Sequence, residues 1–213
     1  VSVSPTGLVS YTPAANYSGP VSFSYTASDG SLSSISTASL VISPVNDAPT
    51  ATNLSTAETY TQDTPLNLVD IVVSDVDSAT VTATLTLSNP AAGSLNTATS
   101  GAVTSTYNAA TGVWTASGAI ADVNALLAGL TLTPAATFNG SFSIVTSVSD
   151  GVAPAITGSK AFTGIAVNAA PTATNLSTAE TYTEDSPLNL ADIVVSDVDS
   201  ANVTATLTLS NPA

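Results

Sequence analysis

A stretch of 43 consecutive residues occurs twice. Pro49–Ala91 aligns without a gap to Pro171–Ala213, and only four positions differ: Gln62 and Glu184, Thr64 and Ser186, Val69 and Ala191, Thr80 and Asn202. The period is 171 − 49 = 122 residues. Solenoid repeats are several-fold shorter, so a period of this length means whole domains in tandem. Leu132–Gly140 follows the pattern of Tyr11–Gly19 at an offset of 134 − 13 = 121, and the turn Asp150-Gly151 follows Asp29-Gly30 at the same offset. The chain therefore divides into residues 1–47, the back part of a diverged repeat; 48–169, one complete repeat; and 170–213, the front part of a near-identical next one.

The local pattern predicts strands nearly throughout. Val21, Phe23, Tyr25 and Ala27 alternate with Ser and Thr, and Ala38, Leu40 and Ile42 do the same after the Asp29-Gly30 turn, so these two runs form an antiparallel hairpin. Tyr11–Gly19 leads into it as a short strand and loop. Leu66 with Leu68, and Ile71–Val73, are short strands. Val81, Ala83, Leu85 and Leu87 alternate with threonines. Val103–Tyr107 and Val113–Ser117 flank a Gly-containing loop. Phe142, Ile144, Thr146 and Val148 repeat the first hairpin strand. The one helix candidate is Asp122–Gly129, with Asp122 as its cap and Gly129 as its stop, plugging one end of the fold. Pro44–Pro49 and Val167–Pro171 are short, stiff joins, because proline removes backbone donors and restricts φ. The expected fold is all-β: tandem β-sandwich domains, with one short helix per complete repeat.

Charge narrows the function. Fifteen acids stand against a single base, Lys160, for a formal net charge of −14. Such a surface repels nucleic acid and anionic membranes and attracts divalent cations. No apolar run is long enough to span a bilayer. Cysteine and histidine are absent, which removes disulfides, thiolate metal sites and the commonest catalytic bases. The serines have no evident base apart from Lys160, and no Gly-rich phosphate loop is present, so the chain is expected not to be an enzyme. It has no visible signal peptide and no methionine, and begins at Val1; it is expected to be a window on something longer.

The acids gather near the predicted domain ends. Asp29, Asn46 and Asp47 lie at the exit of one repeat, and Asp63, Asp75 and Asp77 near the entrance of the next. The second join offers Asp150, Asn168, Glu184, Asp185, Asp197 and Asp199. Calcium takes six to eight oxygens from such groups. Asp75 and Asp77, two apart on an extended segment, point the same way and are suited to clamping one cation. The competing role for each acid is to cap a turn, above all in the Asp-Gly pairs. Asp70 and Asp192 lie in strand-like runs and are candidates for satisfying a loop backbone instead. Trp114 is a candidate sugar platform, although a lone aromatic in a strand more often belongs to the core.

Taken together, Tyr11–Gly19, the Ser28-Asp29-Gly30 turn, the join Val45-Asn46-Asp47-Ala48-Pro49 and Asp75-Val76-Asp77 resemble the bacterial cadherin-like and Ig-like tandem repeats of giant RTX-type surface adhesins, exported by type I secretion. The resemblance covers nearly the whole chain. It implies a calcium-stiffened β-sandwich used as an extracellular extender between an anchor and an adhesive tip. Asn46 and Asp47 match the family's linker, and Asp75 and Asp77 match its Asp-x-Asp motif. Ala169, standing where Asp47 stands in the first join, departs from that pattern and puts the ion count of the second join in question. The expected partners are neighbouring repeats of the same chain or further copies of it. Three alternatives remain open: an extracellular filament subunit assembled head to tail by strand complementation, a module that binds surface polysaccharide or itself, and, third, an accessory domain of an enzyme.

Overall fold

The computed structural model describes residues 1–210 and resolves into two compact units, Val1–Gly164 and the segment from Ile165 onward. The first unit opens with a two-residue ladder, Ser2–Val3 against Val9–Ser10, and Tyr11–Ser18 forms no strand. The first long element is a hairpin, β1 (Gly19–Ser28) and β2 (Ser33–Ile42), paired in register from Gly19 opposite Ile42 to Ser28 opposite Ser33. Among the described residues these two strands form a sheet of their own. Period-two patterning leaves Val21, Phe23, Ala38, Leu40 and Ile42 half-buried along one face.

The complete repeat then builds a sandwich. Its strands are β3 (Thr50–Ala51), β4 (Glu58–Thr61), β5 (Leu66–Asn67), β6 (Val73–Ser74), β7 (Thr80–Leu87), β8 (Gly93–Leu95), β9 (Thr106–Asn108), β10 (Val113–Ala119), β11 (Thr131–Pro134), β12 (Phe142–Ser149) and β13 (Ile156–Ile165). One layer is a six-stranded sheet in the order β9-β10-β7-β12-β13-β4, and the other a three-stranded sheet, β8-β11-β5. β3 pairs with β6 beside them. The inner face of β7 carries the alternation that its sequence announces: Val81, Ala83, Leu85 and Leu87 are buried and the intervening threonines half-exposed. Ala116 and Val148 flank Ala83, while Trp114 and Thr146 flank Leu85. Tyr60, Phe138, Phe142 and Phe162 close one end of the core, with the rings of Phe142 and Phe162 stacked at 5.0 Å.

Four expectations need correction. The helix α1 runs Ile120–Ala128, starting two residues before Asp122. Its N-cap is Ala119, with no side-chain cap; Asp122 sits in the first turn and accepts instead from Ser100 Oγ at 3.1 Å. The helix starts where β10 ends, and its buried face is Val123, Leu126 and Leu127. Ile71–Val73 is a strand only from Val73, and Val103–Tyr107 is broken. Val103–Thr104 pairs back on Thr99–Ser100, and only Thr106–Asn108 joins β10. Trp114 is fully buried, and its Nε1 donates to the Asn96 carbonyl at 3.0 Å, so it is no surface platform for a sugar.

In the second unit the described ladder is β14 (Thr172–Ala173) against β15 (Val195–Ser196). It reproduces β3 against β6, position for position at the 122-residue offset.

Candidate metal centre

The join before the complete repeat is tied to loops that lie far apart in sequence. Asn46 Nδ2 donates to Asp150 Oδ2 at 2.6 Å, across 104 residues. The Asp47 backbone N–H donates to Asp77 Oδ2 at 2.9 Å, and Ser78 Oγ to Asn46 Oδ1 at 3.5 Å. Asp75 folds its own loop: Oδ1 accepts from the N–H groups of Asp77 (3.1 Å) and Ser78 (2.8 Å). Its second oxygen, Oδ2, is buried without a hydrogen-bond partner. Asp150 caps its turn in the same way, Oδ1 accepting from Val152 and Ala153, both at 2.9 Å.

The electrostatics follow from these contacts. The Ser78 N–H does most to hold the Asp75 carboxyl below its ordinary value, while partial burial and the charge of Asp150 push the other way. The Asn46 amide does most to lower Asp150. Asp75 and Asp150 are thus kept as anions near one another, a cost that a divalent cation relieves.

The structure regroups the acids. Asp150 belongs with the first join and not the second, because β12 runs back along the sheet and delivers it beside Asn46. Its counterpart Asp29 sits at the tip of the β1–β2 hairpin, at the end of that ladder away from Ile42 and the join. It accepts there from Ser31 and Leu32, and the Leu32 N–H chiefly lowers its carboxyl. Asp63 also stands apart. It occupies a left-handed turn (φ 58°) and accepts from the Thr137 N–H at 2.8 Å, beside Asn139 and the aromatic end of the core. Asp185 occupies the same kind of turn (φ 61°), next to Glu184. Asp70 takes part through its backbone, its carbonyl accepting from Asn53 Nδ2.

The second join repeats half of the arrangement. Asp197 accepts from the N–H groups of Asp199 and Ser200, the former doing most to lower its carboxyl. The Ala169 N–H donates to Asp199 Oδ2 at 2.6 Å, and Asn168 turns its amide onto the Ala169 carbonyl. The loss of an Asp side chain at Ala169 therefore leaves this contact intact, since the donor is main chain.

Calcium, the cation that the adhesin resemblance implies, fits the first join by chemistry: hard oxygens from three aspartates and an Asn amide, one carboxylate oxygen without a partner, and no competing base. Asp75 Oδ1, Asp77 Oδ2 and both oxygens of Asp150 already accept from N–H groups, and Asn46 Oδ1 accepts from Ser78 Oγ. Among the described residues no three carboxylates converge into a ready cage.

The feature that sequence reasoning missed is Lys160. This side chain is fully buried and pairs with Glu58 Oε1 at 2.9 Å. It also donates to the carbonyls of Asn53 (3.1 Å) and Val69 (3.4 Å). The one base available to the serines is thereby sealed in the core. A lone Lys in an alternating strand, at an inward position, was the available signal.

Compared with known proteins, residues 1–43 match the bacterial Ig domain family. No curated protein matches the chain. Among solved structures, the chain is similar to the protocadherin gammaB7 EC3-6 cis-dimer structure (TM-score 0.42, 14% identity, 85% of this chain and 43% of that one). It is also similar to the protocadherin gamma B2 extracellular cadherin domains 3-6 (TM-score 0.36, 14% identity, 68% and 32%). The chain spans less than half the length of these structures. No helix among the described residues is long and apolar enough to cross a membrane.

Proposed function

We propose that the chain is a non-catalytic extender of a repetitive bacterial surface adhesin, an extracellular rod of tandem β-sandwiches stiffened by calcium at its joins. The domains of that rod are residues 1–47, 48–169 and 170–213. The observation that carries this reading is the first join, where Asn46 and Asp47 are held by Asp150 and Asp77 while Asp75 Oδ2 is buried and unpartnered. A stiff proline-bounded linker laced to the next domain transmits length and orientation. Asp75, Asp77, Asp150 and Asn46 would hold the ion, and calcium, when bound, supplies positive charge that cancels their mutual repulsion. Asp63, Glu184 and Asp185 are left to turns, and Asn168, Asp197 and Asp199 to a weaker second site. The near-identity of the two copies suits an extender, whose performance depends on rod properties and not on a varied recognition surface.

Isothermal titration with calcium, paired with small-angle scattering before and after chelation, tests this. Binding that stiffens the chain is expected. Asp75→Ala and Asp150→Ala should weaken it, and Asp29→Ala and Asp63→Ala should leave it unchanged. An unchanged maximum dimension and melting temperature on chelation would refute the calcium-stiffened rod.

A further inference from the structure

A pull along the chain enters the complete repeat at Pro49 and leaves it where β13 ends, at Ile165. The strands next to those two points are β4 and β13, neighbours in the six-stranded sheet. They run the same way. The Leu54 main chain lies against Gly158, the Ser159 N–H donates to Ser55 Oγ at 3.2 Å, and Glu58 meets Lys160, so the residue numbers climb together. Against β12, which is antiparallel to β13, the same segment reads in reverse: Leu54 meets Thr146 and Tyr60 meets Gly140. Parallel neighbours put the entry and the exit at opposite ends of the pair. Tension therefore slides residues 53–61 along β13 and does not peel them away.

Short directional contacts oppose that slide, and they are loaded together. Lys160 Nζ holds Glu58 Oε1 at 2.9 Å and the carbonyls of Asn53 and Val69 at 3.1 and 3.4 Å. Glu58 is itself fixed by the Val69 N–H at 3.1 Å. Thr146 Oγ1 donates to the Leu54 carbonyl at 2.9 Å, and the Tyr60 hydroxyl to the Gly140 carbonyl at 2.6 Å. A slip of one residue along a strand is about 3.3 Å, beyond the reach of any of these bonds. It leaves Lys160, at 0% exposure, as a buried cation parted from its carboxylate.

We propose that Lys160 and Glu58 form a force-bearing latch, which holds the entry segment of the repeat in shear against β12 and β13 and sets the load at which the domain opens. The proposal rests on the extender reading, since a rod between an anchor and a tip carries tension. A charged contact suits a latch better than an apolar one. Force is energy divided by the distance over which the energy is lost. A hydrogen-bonded ion pair is lost within about 1 Å, whereas apolar area is uncovered gradually.

The test is force spectroscopy on the full chain in chelator. Stiffening by calcium, read by scattering, and strength, read here, then fail separately. The chain has no cysteine, so cysteine handles attach only where they are placed. Ala48, Ala155 and Ala166 are exposed. Ala48→Cys with Ala166→Cys pulls the repeat from end to end. Ala48→Cys with Ala155→Cys pulls at the start of both strands and peels the segment off. The peeled chain should open at a clearly lower force. Glu58→Gln should raise the end-to-end unfolding rate at fixed force on the order of a hundredfold. The pair Glu58→Leu with Lys160→Met separates strength from stability: with its urea midpoint recovered, its end-to-end rate should still stand on the order of tenfold above that of the unaltered chain. Equal opening forces in the two geometries overturn the proposal. So does a double variant whose end-to-end rate returns to normal along with its urea midpoint, because Lys160 then contributes stability alone. Where a charge variant does not fold, the comparison of the two geometries in the otherwise unaltered chain decides.

Discussion

Replacing Glu58 by Gln keeps the shape of the side chain and removes its charge. Lys160 is then left as a cation at 0% exposure, still facing the carbonyls of Asn53 and Val69 but without the carboxylate at 2.9 Å. Two carbonyl contacts satisfy donors without balancing a charge. Breaking a buried pair from one side costs about 3–5 kcal/mol, because the surviving ion keeps its desolvation penalty. A domain of this size has roughly 5–15 kcal/mol in hand. The loss should lower Tm by on the order of 10–20 °C. Urea unfolding followed by Trp114 emission is the assay, since that ring is fully buried in the same sandwich. The double variant Glu58→Leu with Lys160→Met should recover most of the loss, as apolar replacement of a buried pair is often neutral or stabilising. A single-variant cost below about 1 kcal/mol, the range of an exposed pair, would refute the view that this charge is dehydrated. A double variant no better than the single one would refute the electrostatic account of the cost.

Two further outcomes are expected. Asp75 and Asp150 have carboxyls held below the ordinary value of 3.8, so their contribution to stability is fully present above that value and is lost as pH falls through the lowered folded-state values. The urea midpoint of Asp75→Asn, followed down an acid series, should therefore fall less steeply than that of the unaltered chain; parallel slopes would show that the carboxyl is not depressed. Gly158→Ala places a Cβ at 2.5 Å from the Leu54 carbonyl oxygen, in the segment that also serves Thr146 and Lys160. A loss of about 1–3 kcal/mol in the urea titration is expected, whereas Gly129→Ala, whose Cβ meets only the Ala125 oxygen at 3.8 Å, should differ by less than about 1 kcal/mol.

What the sequence determined by itself is local and periodic. Alternation in Val81–Leu87 and Phe142–Val148 dictates which side chains face inward, because successive residues of a strand point to opposite faces whatever lies beside them. The 122-residue repeat dictates that the second unit rebuilds the first one's ladder. Only the tertiary structure decided which end of the sandwich each acid occupies, and which strands are neighbours. Asp29 and Asp150 have the same turn sequence, yet only Asp150 reaches a join, because that depends on strand direction and on the loop packed opposite, neither of which leaves a periodic trace. Lys160 reads as one polar residue in a strand. Its partner lies 160 − 58 = 102 residues away on an edge strand, and the order β12-β13-β4 that makes them meet is a property of the whole sheet. Ala169 shows the converse. A side-chain difference that the sequence displays plainly changes little at the join, because the hydrogen bond made there comes from the backbone, which every residue but proline supplies.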